Sequence, residues 1–531
     1  MKIITAVEAA QMVRTGNSIV ISGSGGGHAV PESVLAAVEQ RFLDSGQPRD
    51  LCICHVVGIG DRETGRGADH FAHEGLLRRS VTSALVDSPR LVPMARNNLI
   101  ESYTLPQGVL SQLMREIGGG RPGLITKTGL HTFVDPRQRG GRQSDRAKED
   151  LVEVVELGGE EWLRYKPLRF DVAFLRGTTA DEDGNITMEQ EAIFGEMISM
   201  AQATRRSGGI VIVQVKRLAR SGSLPAKTVK IPGILVDYVV VEPNQRQTFA
   251  TDYDPTYAGE MRAPSGGLAT IPFGPRKIVA RRAAMELTPG AICNVGAGIS
   301  TGISSVAVEA GILDEITLTN EQGFIGGAPT TGKDSGCAQN YQALVDQPYQ
   351  FDFYDGGGLD IAFLSFGEVD AKGDVNVSRF ADKIVGMGGF INISQNAKKV
   401  IFSGTFMAGS LAIDCADGSL RIRQDGRHRR FVQNVDQICY NARFAQQQAR
   451  TALYVTERCV MRPVDGGLEI IEIAPGIDIR SDVIGKMGFE PKVSPRLKKM
   501  DARLFSEAPM EFGDEFRAKA MPVESRSYAA A

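Results

Sequence analysis

Tryptophan is almost absent from this sequence: Trp162 is the only one in 531 residues. Aromatics are not interleaved with basic residues, so no stacking platform for nucleic acid is built. An excess of positive charge is also missing. Sixty basic side chains stand against 63 acidic ones, a formal net charge of −3, so an anionic ligand needs a local site rather than a global field. No stretch reaches the ~18 apolar residues of a membrane span. The beginning of the chain lacks a secretory pattern: Thr5-x-x-Glu8 reads as a capping box, with Ala6, Ala9, Ala10 and Val13 along one helical face. Cysteines are few and dispersed (Cys52, Cys54, Cys293, Cys337, Cys415, Cys439, Cys459). An odd, scattered set predicts free thiols in a reducing compartment, and so a cytoplasmic protein. Cys52, Cys54 and His55 with His70 and His73 resemble metal ligands only superficially. Alternation puts the two thiols on one strand face with His55 opposite, and no second cysteine pair completes a zinc pattern, so no metal is expected. A G-x-S-x-G nucleophile elbow is missing too, which removes the anchor of a serine hydrolase.

What the sequence does contain is a repeat. AFLRGTTADEDGNITM begins at Ala173 and AFLSFGEVDAKGDVNV at Ala362, a gapless match at an offset of 189 residues. The same offset carries Val211-Ile212-Val213 onto Val400-Ile401-Phe402. Upstream, the run from Ile19 into Gly23-Ser24-Gly25 resembles Cys293-Asn294-Val295-Gly296-Ala297-Gly298 at an offset of 273. The first copy therefore holds roughly 84 additional residues, placed within about 61–150. Each glycine turn follows a strand and precedes a helix, expected at 32–42 and at about 304–310. Strands alternating with helices predict an α/β protein: two related open α/β domains with mainly parallel sheets and the active site between them. The expected division is 1–255, a Pro- and Gly-rich linker at 256–278, and 279–531.

Ligands of such sheets bind at the carboxyl ends of strands. Three glycine-rich stretches are candidates there: Gly23–Gly27, Gly296-Ala297-Gly298 and Gly386-Met387-Gly388-Gly389. Bare glycines let a ligand approach the backbone, and a following helix N-terminus favours an anion; a tight turn without a ligand is the other reading of each. Gly327-Ala-Pro-Thr-Thr-Gly332-Lys333 imitates a phosphate loop, but Asp334 stands where a hydroxyl belongs and Pro329 lacks an N–H. In the stretch TLTNEQGFIGGAP, an apolar run ends at Asn320, and a single carboxylate, Glu321, sits at the stop with Gly323, Gly326, Gly327 and Ala328 behind it. The small residues are expected to clear space around the acid. A carboxylate that caps a following helix, or is merely solvated, is the plain alternative.

NVGAGISTG, EQGFIGGAP and GMGGF, in this order, with SGSGGGHAVPESVLAAVEQRF and TLPQGVLSQLMREIGGGRPGLITKTGLHTFVDPR before them, resemble the family I coenzyme A transferases in their fused-subunit form, with the acetate and propionate group most similar. The likeness covers nearly the whole chain. Its usual Ser-Glu-Asn-Gly reads Asn320-Glu321-Gln322-Gly323 here, keeping the acid and the glycine. The resemblance implies transfer of CoA from a short-chain acyl-CoA to a carboxylic acid, with Glu321 as the nucleophile. It implies backbone donors at Ala297 and Gly388, and Gln107 beside the glutamate, where a turn residue after Pro106 is the other reading. Gly296, Gly298, Gly386 and Gly389 would line the CoA site. Lys383 would meet a CoA phosphate, unless it is a solvated lysine. CoA enters as substrate, with no metal or redox cofactor, no membrane or nucleic acid, and a homo-oligomer (tetramer or dimer) as the family habit. Two rivals remain at this point: an acyl-CoA hydrolase using the same glutamate, and a non-enzymatic CoA-binding protein on the same scaffold.

Overall fold

The computed structural model describes residues 1–63, 65–264, 271–381 and 383–519. Its first eight-stranded sheet runs in the order of the strands beginning at Lys2, Tyr238, Ile210, Val172, Ser18, Leu51, Leu77 and Glu101, and every pairing in it is parallel. These strands read as continuous β-branched and apolar runs because helices cover both faces. Successive side chains point to opposite sides: Ile19 and Ile21 join Val34, Leu35 and Val38 of the Glu32–Ser45 helix, whereas Val20 joins Val109, Leu113 and Met200 of the Gln107–Gly118 and Met197–Arg206 helices. The chain enters through the expected capping box. The Thr5 hydroxyl accepts the Glu8 N–H (3.1 Å) and the Glu8 carboxylate accepts the Thr5 N–H (2.7 Å).

The second sheet has ten strands, ordered from Ala343 through Phe324, Thr317, Ile292, Ile361, Lys399, Thr451, Cys459 and Gly467 to Lys492. Its central five strands are parallel, and hairpins extend both sides. The repeat is visible in the register. Ile210 pairs with Val172, and 189 residues later Lys399 pairs with Ile361. The strands at 51, 18, 172, 210 and 238 thus have the same neighbours as those at 317, 292, 361, 399 and 451. The second helix arrives as a 3-10 turn, Gly298–Thr301, that runs into the helix Gly302–Glu309. The expected linker includes residues 265–270, which lie outside the described residues. Before them the chain is docked on the second half, with the Ala263 N–H on the Asn340 side-chain Oδ1 (2.8 Å) and the Tyr341 hydroxyl on the Tyr257 carbonyl (3.2 Å).

The two halves meet edge to edge at the carboxyl ends of their strands. Ala84 bridges to Gly386, and the N–H groups of Leu85 and Val86 both donate to the Val385 carbonyl. The turn at Gly23–Gly27 is filled by protein and not by a ligand cradle: a Cβ on Gly26 would stand 2.4 Å from the Lys333 carbonyl oxygen, and one on Gly27 would stand 2.5 Å from the Phe249 ring. The false phosphate loop is the element that fills it. Asp334 accepts the hydroxyls of Thr248 (2.6 Å) and Thr251 (2.8 Å), and Lys333 reaches Glu63 (2.9 Å). That last pair is exposed and contributes less than ~1 kcal/mol, so the close backbone fit and the Asp334 hydrogen bonds hold this contact.

Candidate active site

Glu321 stands in the turn that joins the strands Thr317–Thr319 and Phe324–Ile325, which pair antiparallel through Thr319 and Ile325. No helix follows, so the acid caps nothing. Asn320 builds the turn. Its side-chain oxygen accepts the Gln322 N–H (2.9 Å), its carbonyl accepts the Gly323 N–H (3.2 Å), and its own N–H donates to Phe324 (3.3 Å). The glycines behind the acid do not clear space for a substrate, contrary to the expectation from sequence. A Cβ on Gly323 would stand 2.0 Å from the Val345 carbonyl, and one on Gly327 would stand 2.2 Å from the Gln339 carbonyl. They admit neighbouring backbone and so press the turn onto the sheet.

The carboxyl of Glu321 is raised above its ordinary value. Burial is the main cause, and its own backbone N–H and the Asn294 amide pull in the other direction. Asn294 lies on the adjacent strand, in register with Thr319. Its Nδ2 also donates to the Tyr354 hydroxyl (3.3 Å). That hydroxyl accepts from Gln350 (2.8 Å) and donates to Thr319 (2.8 Å), and Thr319 in turn donates to the Cys293 carbonyl (2.9 Å). The acid is therefore fixed by a network of buried side chains, with the Asn294 Oδ1 left unpartnered.

Ala297 and Gly298 end the neighbouring strand and are exposed. Neither N–H has a hydrogen-bond partner among the described residues. Ser365 shapes this turn: its Oγ accepts the Ile299 N–H (3.1 Å) and donates to the Ala297 carbonyl (2.9 Å). Gly296 is committed to the sheet, where its N–H donates to Phe363 (2.9 Å).

The third glycine stretch is less free than its sequence suggests. The Gly388 N–H donates to the Ser83 carbonyl (3.1 Å), beside the Met387 N–H (2.9 Å), so the expected donor is already engaged. Gly386 serves the interface. A Cβ there would stand 2.4 Å from the Ala84 Cα, and its N–H bonds to Ser378. The neighbouring Gly389 N–H has no hydrogen-bond partner among the described residues. Gln107 is buried against Gly388, its N–H on the Gly388 carbonyl (3.0 Å) and its side-chain Nε2 unpartnered. The Gln347–Asp355 helix joins this side to the glutamate: Phe351 packs against Gly389 while Tyr354 braces Asn294. Lys383 is exposed on the short strand Lys383–Ile384, and nothing there directs it to a phosphate.

Asn294, Tyr354, Ser365 and Thr319 escape the sequence reading. A polar residue at a strand position otherwise filled by Ile292, Cys293 and Val295 is the one local signal that singles out Asn294. The histidines take no part. His55 Nδ1 lies 2.7 Å from the Val57 carbonyl, which can only accept, and 3.0 Å from the Thr82 hydroxyl, and burial lowers its imidazole to about 4. His70 and His73 bind Glu32 and Glu39. No group of three or more metal-ligating side chains occurs among the described residues, all seven cysteines are free thiols, and no described helix is long and apolar enough to cross a membrane.

The coenzyme A transferase family model matches residues 3–242. The caffeate CoA-transferase of Acetobacterium woodii is 43% identical over 515 residues, covering 95% of this chain and 98% of that protein. The acetate CoA-transferase YdiF of Escherichia coli (strain K12) is 41% identical over 511 residues, covering 96% of each. The crystal structure of the Escherichia coli O157:H7 acyl-CoA transferase YdiF as a thioester complex with CoA superposes with a TM-score of 0.91 at 41% identity, over 96% of this chain and 97% of that one. This chain belongs to the coenzyme A transferase family and is an enzyme that transfers coenzyme A.

Proposed function

We propose that the enzyme moves CoA from a short-chain acyl-CoA to an acceptor carboxylic acid by a ping-pong route through a thioester on Glu321. The observation that carries this reading is the placement of Glu321: one carboxylate just past the carboxyl end of the strand Thr317–Thr319, raised by burial and braced by Asn294. The Glu321 carboxylate attacks the thioester carbonyl, forms a mixed anhydride and expels CoA thiolate. The thiolate then attacks the glutamyl carbonyl, leaving the enzyme–CoA thioester and releasing the first acid. The acceptor acid reverses both steps and returns the free carboxylate. A carboxylate is a weak nucleophile in water, and a half-buried one loses part of the hydration that blunts it.

Each tetrahedral intermediate needs N–H donors aimed at its oxygen. On the glutamate side, Ala297 with Gly298 supplies free ones. On the opposite side the reading assigns Gly389 and the Gln107 amide, or Gly388 once it leaves Ser83. The halves close around the site through the Asp334 contact, which keeps water from the activated intermediates. CoA is a substrate and the reading includes no metal or redox cofactor. It places a homo-oligomer in the cytoplasm. Relatives at similar identity are named for acetate and for caffeate; the reading takes a simple acid such as acetate or propionate as acceptor. Initial rates with acetyl-CoA and propionate should give parallel double-reciprocal lines, with little CoA freed when the acceptor is omitted. Free CoA released without acceptor as fast as transfer would make the enzyme a hydrolase instead.

Only ionised Glu321 is a nucleophile, and its carboxyl is held above 4.5. The acid limb of kcat/KM should therefore lie above pH 4.5, with activity lost as pH falls through it. The Asn294 amide favours the ionised form, so Asn294→Ala should move that limb further up. A limb that stays in place in the variant contradicts the role of Asn294.

Ala297 has φ −63°, the value a proline ring imposes. Ala297→Pro should therefore remove one N–H without disturbing the turn. A loss in kcat on the order of 10²–10³ is expected, with an unchanged thermal midpoint, while Ala297→Val keeps the donor and most of the rate.

A further inference from the structure

We propose that Asp355 is a positioning residue that fixes Gln107 against Gly388 across the two halves, acting through Asn392. The assignment rests on the reading of Gln107 and Gly388 as part of the reaction site.

Asp355 ends the Gln347–Asp355 helix and gathers amide donors from three directions. Asn392 Nδ2 lies 3.0 Å and 3.1 Å from its two oxygens, Asn396 Nδ2 lies 3.0 Å from Oδ1, and Gln112 Nε2 lies 3.1 Å from Oδ2. Every partner is a donor, an arrangement that favours the ionised carboxylate. Asn392 cannot turn its amide over, because its Oδ1 accepts the Gly108 N–H at 3.1 Å. Gly108 follows Gln107, whose own N–H holds the Gly388 carbonyl at 3.0 Å. The absence of a side chain at Gly108 makes the approach possible, since a Cβ there would stand 2.3 Å from the Phe351 ring. Gln112 ties the same helix to Asp355 one turn further on and also reaches Asp352 (3.1 Å).

The tether leaves two buried amide atoms unpartnered, Gln107 Nε2 and Gln112 Oε1, and of these only Gln107 Nε2 is a donor. Gln107 is buried, yet its Nε2 has no partner. The network engages the NH2 groups of Asn392, Asn396 and Gln112 and leaves that of Gln107 free, a donor available to the reacting groups on this reading. The apposition of Gln107 with Gly388 joins the first half of the chain to the second, so nothing local to either half would maintain it. Burial opposes the ionised form of Asp355, and the amides favour it. The balance leaves the carboxyl pushed up to about 7.

The test is a double-mutant cycle on the full-length enzyme, with turnover expressed per active site titrated by the CoA adduct. Asp355→Asn should lower kcat per titrated site by about 10- to 100-fold, the scale of a misplaced group, with KM for acetyl-CoA within about threefold. Gln107→Ala should lose a similar factor, and Asp355→Asn added to Gln107→Ala should lose no more. Asn392→Ala keeps the carboxylate with its other donors and should couple to Gln107→Ala in the same way, which covers the case of an Asp355 variant that does not fold. Losses that multiply in the double variants, or a wild-type kcat per titrated site in Asp355→Asn and Asn392→Ala, overturn the assignment. Wild-type enzyme that forms no adduct with acetyl-CoA or propionyl-CoA overturns instead the reading it rests on.

Discussion

The constraint on which the rest depends is a carboxylate that must be dry enough to attack a thioester and still give up its proton. Burial alone would hold Glu321 neutral and inert. Full hydration would leave it ionised and weak. The fold meets both demands by placing the acid at a strand end, where the backbone of its own turn and the Asn294 amide favour the charged form. The Tyr354–Thr319–Cys293 chain then keeps Asn294 and the turn in register. The flanking glycines belong to the same solution. They let the backbone of residues 339–345 press against the turn, so the acid is held by packing and not by a long, flexible approach.

The second demand is that two halves of one chain present their groups to the same point. Each half supplies a parallel sheet with its carboxyl edge turned to the other, which duplication of one unit provides directly. The joint between them is built from glycine positions that admit close neighbours: Gly26 the Lys333 backbone, Gly386 the Ala84 backbone and Gly108 the Phe351 ring. Exposed ion pairs such as Lys333–Glu63 add little to it. Close backbone contact is unforgiving of small displacements, which suits a site that must exclude water from a thioester and an anhydride.

The repeat makes much of the architecture legible in the sequence. An offset of 189 residues predicts that two strand pairs correspond, and the register of Ile210 on Val172 and Lys399 on Ile361 reproduces it. The nucleophile turn is legible because a lone acid interrupts an apolar strand. The partners of the glycines are not. Whether Gly26 faces a phosphate or the Lys333 carbonyl depends on a contact across some three hundred residues, and local pattern carries no trace of it. For the same reason the engaged Gly388 N–H and the interface role of Gly386 differ from the reading by resemblance. Polar residues in apolar strands and helices, such as the buried Asn294 and Asn392 and the partly buried Asp355, are visible in sequence, but their meaning appears only when their partners do.

The most direct measurement is the intact mass of the protein after brief exposure to acetyl-CoA without acceptor, for wild type and Glu321→Ala, with peptide mapping of any adduct. The account predicts a CoA-sized addition on wild type alone, located on Glu321 and removed by acetate. An adduct that persists in Glu321→Ala, or maps to another residue, would contradict it.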